Sequence, residues 1–225
     1  MLGLDPDIDF REGDPMARSA KQGSKPNPYG VHPSVAMVRK WIADLPSKTG
    51  RSLDEWLELI RTKGPATESE RRDWLKSEHG LGTNSAWWLA ERADGRGEDD
   101  DPEKYLASAL VYVDEMFAGK KAGLRPLYEQ LLALGLSMGS DVKACPCKTI
   151  VPLYRKHVFA QIKPTTATRL DLGLALSDTP AEGKLIDTGG FAKKDRITHR
   201  FAIASSADID AAVKTWLKRA YAMDA

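Results

Sequence analysis

Cysteine is scarce in this chain: Cys145 and Cys147 are the two thiols among 225 residues. Two thiols make no disulfide framework, and a bridge between positions i and i+2 would be badly strained. No apolar run approaches the roughly 20 residues that carry a helix across a bilayer. The N-terminus lacks the basic-then-apolar pattern of a secretory signal. Internal repeats and extended low-complexity tracts are missing. So are a Walker A loop, a dinucleotide fingerprint, a zinc-protease helix and a serine nucleophile elbow. No cofactor is therefore expected. No metal is expected either, because structural zinc takes about four ligands and Cys145-Pro-Cys147 has no second cysteine pair. His157 and His199 could complete a set only if the sheet brought them together. These absences leave a cytoplasmic, reduced protein with no membrane partner as the expectation.

What is present is an ordinary globular composition, 42% hydrophobic and 29% charged. That length and composition suit one large domain or two small ones. Net charge is only +1, yet it is unevenly spread. Residues 51–117 hold 9 basic and 16 acidic side chains, whereas residues 141–200 hold 11 basic and 6 acidic. A polyanion would meet the second stretch rather than the first. The plainer alternative is two solvated surfaces of different charge.

Residues 1–33 read as a disordered tail. Met1–Pro15 is acidic and punctuated by Pro and Gly, and Met16-Ala-Arg-Ser resembles a second start, so the first 15 residues read as a tag or an upstream start. Lys21–Gly30 is too polar to fold alone. Residues 34–92 read as four short helices. Ser52-Leu-Asp-Glu55 and Thr67-Glu-Ser-Glu70 are capping boxes, in which the hydroxyl takes an orphan amide and the Glu reaches back. Trp41, Trp56, Trp74, Trp87 and Trp88 lie here, so the expectation is a small helical domain with a Trp-rich core. Two adjacent helical positions cannot both face inward, which leaves Trp87 or Trp88 exposed. Residues 93–103, with Asp94-Gly-Arg-Gly and an acidic cluster before Pro102, read as a linker.

Residues 104–225 read as an α+β domain. Two helices come first, over Tyr105–Phe117 and along Leu124, Leu127, Tyr128, Leu131 and Leu134. Strands are expected over Val142–Cys147, Thr149–Tyr154, Val158–Ile162, Arg169–Leu176, Lys184–Asp187 and His199–Ile203. A last helix starts near Ser206. In Arg169–Leu176 the alternation is unbroken: Leu170, Leu172, Leu174 and Leu176 share one face, and Arg169, Asp171, Gly173 and Ala175 the other. The short connections favour an antiparallel sheet covered on one side by helices.

These signals resemble two families. Lys48-Thr-Gly50, Trp56, Trp74 to Gly82 and Ala86 are similar to a small helical family, domain of unknown function 4287. Leu127-Tyr128, Tyr154-Arg155, Lys163-Pro164, Arg169 to Gly173, Asp187-Thr-Gly-Gly190 and Ala220-Tyr221 resemble domain of unknown function 5655. The resemblance implies a bacterial two-domain protein, without an established activity. The second family's frequent fusion to domains from DNA modification and restriction contexts adds a little weight to nucleic acid.

Several motifs bear on chemistry. His79-Gly-Leu-Gly82, followed by Ala86 and Leu89, has the spacing of a helix-hairpin-helix, whose glycines let amides approach a phosphate. The second helix lacks the usual nearby Lys or Arg, the surrounding region is net acidic, and a tight helix-helix turn capped by Gly80 explains the spacing as well. Cys147 would act as a nucleophile only with a cation or base beside it, and Lys148, Arg155 and His157 are the nearby choices. Two small side chains on one strand is the plainer account. Arg155, Lys156, His157, Lys163 and Arg169 fall on adjacent strands and can converge on one patch. Gly189-Gly190 permits a backbone nest for an anion, with Lys193, Lys194 and Arg196 adding charge. A solvated hairpin loop fits the same residues. Asp171 and His199 on neighbouring strands would make a carboxylate–imidazole pair, although an Arg169–Asp171 ion pair is simpler.

The leading expectation is an anion-binding module that takes nucleic acid or a phosphorylated small molecule on a basic sheet face. Its ligand residues would be Arg155, Lys163, Arg169, Gly189, Gly190, Lys194 and Arg196. The alternatives are a small-molecule enzyme using Cys147, His157, Asp171 or His199, and an adaptor that docks a protein partner on the Trp-rich helices.

Overall fold

The computed structural model describes residues 27–95 and 100–225. Four helices come first: α1 (Pro33–Thr49), α2 (Leu53–Lys63), α3 (Glu68–Ser77) and α4 (Thr83–Ala93). Both capping boxes are formed, at Ser52 with Glu55 and at Thr67 with Glu70. Gly50 ends α1 at φ 75°, a left-handed conformation that a side chain would strain. The helices close over Leu45, Trp56, Ile60, Leu75 and Leu89. Trp41 meets Trp88 edge to face, with centroids 4.7 Å apart, while Trp87 on the same helix is 45% exposed.

The rest is mixed. Helices α5 (Pro102–Met116) and α6 (Arg125–Leu136) precede the strands β1 (Lys143–Ala144), β2 (Val151–Tyr154), β3 (Val158–Pro164), β4 (Leu170–Leu174), β5 (Ile186–Asp187) and β6 (His199–Ile203). Helix α7 (Ala211–Met223) closes the chain. The six strands form one sheet in the order β1-β2-β3-β4-β6-β5, and every pairing is antiparallel. The chain is thus α+β, with N-terminal helices followed by an antiparallel sheet and its helices.

Leu170, Leu172 and Leu174 face Pro164, Ile162 and Ala160 on one side and Ile203, Phe201 and His199 on the other. All three leucines are fully buried, in one core with Leu131 of α6 and Val213 and Leu217 of α7. The other face is only partly open. Gly173 and Ala175 are buried, because the segment between β5 and β6 folds back over them. Ile197 lies so close to Gly173 that an added Cβ would meet its Cγ2 at 2.7 Å.

Residues 1–26 of the expected tail lie outside the described residues, but 27–33 differ from the expectation. Tyr29 is buried, and its hydroxyl shares a hydrogen bond of 2.9 Å with that of Tyr128. The Gly30 amide donates to the Ala144 carbonyl at 2.9 Å, extending the β1 edge. Tyr29 and Val31 both pack into the core beneath the sheet. The described ends of the expected linker are also tied down. Arg71 pairs with Asp94, and Arg92 pairs with Asp100 at 2.7 Å. Helix α1 reaches both cores, with Val35 in one and Leu45 in the other. Among the described residues no helix is long and apolar enough to cross a membrane.

Leu172→Ala should destabilise the protein by about 2–5 kcal/mol, the usual effect of emptying a packed leucine site. Leu110→Ala, at an exposed position of α5, should change stability by less than about 1 kcal/mol. Urea unfolding followed by circular dichroism measures both.

Candidate functional site

The pleat that buries the leucines sends their neighbours to the opposite face. Two cross-strand rows result. Gln161, Gly173 and Arg200 lie side by side on β3, β4 and β6, and Lys163, Asp171 and Ala202 form the next row. Neighbours in a row are about 5 Å apart, so the long side chains on this face can reach a common ligand.

Asp171 is the fixed centre of the face. Its Oδ1 is ion-paired with Arg169, 3.0 Å from Nε, and accepts a hydrogen bond from Arg200 Nη1 at 3.2 Å. Its Oδ2 accepts from the Thr165 hydroxyl at 2.8 Å. Around it lies a pocket of about 420 Å³, floored by Gln161, Lys163, Asp171, Gly173 and Arg200 and walled by Thr188, Asp195, Arg196 and Ile197. Lys163 and Gln161 make no ion pair or hydrogen bond through their side chains among the described residues. A second concavity of about 630 Å³ adjoins through Lys163 and carries Lys120, Lys121 and Lys148. Lys121 is engaged there, donating to the Pro164 carbonyl at 2.8 Å.

The wall is a folded loop. The Thr188 and Thr198 backbones are joined at 3.0 Å, and the Asp195 amide donates to the Gly190 carbonyl at 2.9 Å. Gly190 is required here, since a Cβ would come within 2.5 Å of the Ile197 carbonyl oxygen. Arg196 fastens the loop from outside: its Nε donates to the Val158 carbonyl at 2.8 Å and its Nη2 to Asp224 Oδ1 at 2.5 Å. The Asp224 side chain is 3% exposed and also takes the His157 amide at 2.8 Å and the His157 ring at 3.0 Å. Burial alone would raise the Asp224 pKa, but the His157 hydrogen bonds and the Arg196 charge together hold it below the ordinary aspartate value.

The residues singled out in the sequence part company. Lys163, Arg169 and Asp171 meet on the open face. Arg196 borders it, and Lys194 lines an adjoining cavity. Arg155 is elsewhere: it pairs with Asp141 at 2.9 Å and lies over the Tyr221 ring, 4.3 Å from its centroid. Gly189 does adopt the left-handed φ of 68°, yet its amide donates to Asp187 Oδ1 at 2.7 Å. That internal turn occupies the nest expected for an anion. Gly190 serves packing.

The four catalytic candidates are not brought together. Cys147 precedes β2 and His157 follows it, so the length of that strand, about 10 Å, separates them. The Cys145 thiol is pushed up to about 12, by burial first and then by Cys147. His199 pairs across from Leu174 and Asp171 from Ala202, which puts them on opposite faces. His199 is buried, with Nδ1 2.8 Å from the Thr198 hydroxyl. Among the described residues no three His, Cys, Asp or Glu side chains gather as a metal-holding group. Sequence reasoning missed Arg200 and Gln161. The alternation of His199, Arg200 and Phe201 carried the signal for Arg200.

Residues 38–95 match domain of unknown function 4287, and residues 113–224 match domain of unknown function 5655. No curated protein and no solved structure matches the chain. Three stretches that resemble the second family, at Lys163-Pro164, Arg169–Gly173 and Asp187–Gly190, each supply a residue to the open-face pocket.

A carboxylate held below its unfolded pKa stabilises the fold above that unfolded value, near 4, and loses its contribution as pH falls through the folded value. Asp224→Asn should therefore be less stable than the native chain at pH 7 by about 1–3 kcal/mol. The gap should close as pH drops below about 4. Thermal melts from pH 7 to pH 2.5 read this directly.

Proposed function

From a chain that carries domain of unknown function 4287 followed by domain of unknown function 5655, we infer an anion-binding protein whose site is the open face of the sheet. The observation that carries this reading is the grouping of Lys163, Arg196 and Arg200 around one pocket, with Arg169 just outside it. The carboxylate at the pocket floor, Asp171, is already met by two arginines. The lysines of the adjoining concavity extend the positive surface. Nucleic acid or a phosphorylated small molecule fits such a surface, because clustered cations attract phosphate and release its counterions. Exposed Trp87 supports a second reading, in which the helical domain docks a protein partner. The enzyme alternative has no comparable support, since its candidate residues are dispersed.

Fluorescence anisotropy with labelled single-stranded DNA, duplex DNA and RNA across a salt series is the direct test. Micromolar binding at low salt should weaken steeply as salt rises. A Lys163→Ala, Arg200→Ala double variant should lose roughly 10-fold or more, as expected for two phosphate contacts. Arg155→Ala should bind like the native chain, because its guanidinium is committed to Asp141 and Tyr221. Absence of binding at low salt, together with no thermal protection by inorganic phosphate, would sink the reading.

A further inference from the structure

Beside the anion pocket is a cavity of about 590 Å³ that no phosphate contact explains. The two adjoin: Asp195 and Arg196 line both. Phe191 and Met223 lie on the second cavity, 55% and 48% exposed. Large apolar side chains are ordinarily buried, and two of them bordering one cavity make a ready surface for a flat ring. The thioether of Met223 is soft enough to adapt to such a ring.

The backbone around this cavity is strained. Ser177 and Lys194 have φ of 54° and 60°, and among the described residues they are the two non-glycine positions with positive φ. Both line the cavity. Such conformations persist only where the surroundings enforce them, and they concentrate at ligand sites. Here the enforcement is visible. The Lys194 amide donates to the Phe191 carbonyl at 3.0 Å, and the Leu176 amide donates to the buried Thr198 hydroxyl at 3.1 Å. The first closes the turn between Phe191 and Lys194, and the second fixes the backbone next to Ser177.

We propose that the ligand of the open-face site is a nucleotide, with its phosphate at Lys163 and Arg200 and its base seated in the adjoining cavity against Phe191. The proposal rests on the anion-binding reading and adds the base. A bare anion uses none of the apolar surface. A nucleotide uses both pockets, and stacking tolerates any base because each has a π-face. Ser177 and Lys194 line the same cavity and bring a hydroxyl and an ammonium group that suit the polar edge of a base. The nucleotide can be free in solution or part of a strand.

Calorimetry on the full chain tests this with the four nucleoside 5′-monophosphates, ribose 5-phosphate and a 5′-phosphorylated oligonucleotide. At least one monophosphate should bind roughly 10-fold or more tightly than ribose 5-phosphate, the contribution of one stacked base. Phe191→Ala should abolish that difference and leave the ribose 5-phosphate affinity unchanged. Phe191→Trp should keep the difference, which guards against a merely structural effect. Tighter binding of the oligonucleotide would place the nucleotide in a strand, and equal binding would make it free; both uphold the proposal. Ribose 5-phosphate binding as tightly as every monophosphate would overturn it and spare the anion site. Failure of all the probes to bind would remove the anion site and the base pocket together.

Discussion

The burial of Leu170, Leu172 and Leu174 against α6 and α7 decides which way the other side chains of the central strands point. Once three leucines of one strand are committed to the core, the pleat leaves Asp171 and Gly173 no alternative to the far face. Their cross-strand partners follow by register, so Lys163, Gln161 and Arg200 arrive on that face together. A slip of one residue would bury Asp171 among leucines and expose the leucines. The charge cluster and the hydrophobic core are therefore two results of a single register.

The loop between β5 and β6 then turns a charged face into pockets. It is held at its base by Thr188 and Thr198, by the close approach of Gly190 to Ile197, and from the side by Arg196. The last of these ties the loop to Asp224, beyond the end of α7, and through it to the turn that carries His157. Asp224 is thus a shared anchor for three separate segments. Its surroundings meet the general demand that a buried carboxylate be paired and hydrogen-bonded.

Most of the fold was legible in the sequence, and the destinations of its cations were not. Helix starts were readable because capping boxes are local, with donor and acceptor three residues apart. All six strands fell within or across the expected segments, because alternation survives in short windows. Asp141 and Tyr221, which claim Arg155, lie 14 and 66 residues away from it, beyond any local pattern. The Asp187 side chain that fills the Gly189 amide is only two residues distant, yet the glycine pair alone reads equally well as a nest. Tyr29 shows the opposite limit: one aromatic in a polar stretch carries too little signal to oppose a reading of disorder, and the long-range contact with Tyr128 is what buries it.

Helix α1 places Val35 in one hydrophobic core and Leu45 in the other. They stand ten positions apart on one continuous helix, about 15 Å along its axis. One continuous element, α1, therefore contributes a buried side chain to the core of the helical module and another to the core under the sheet.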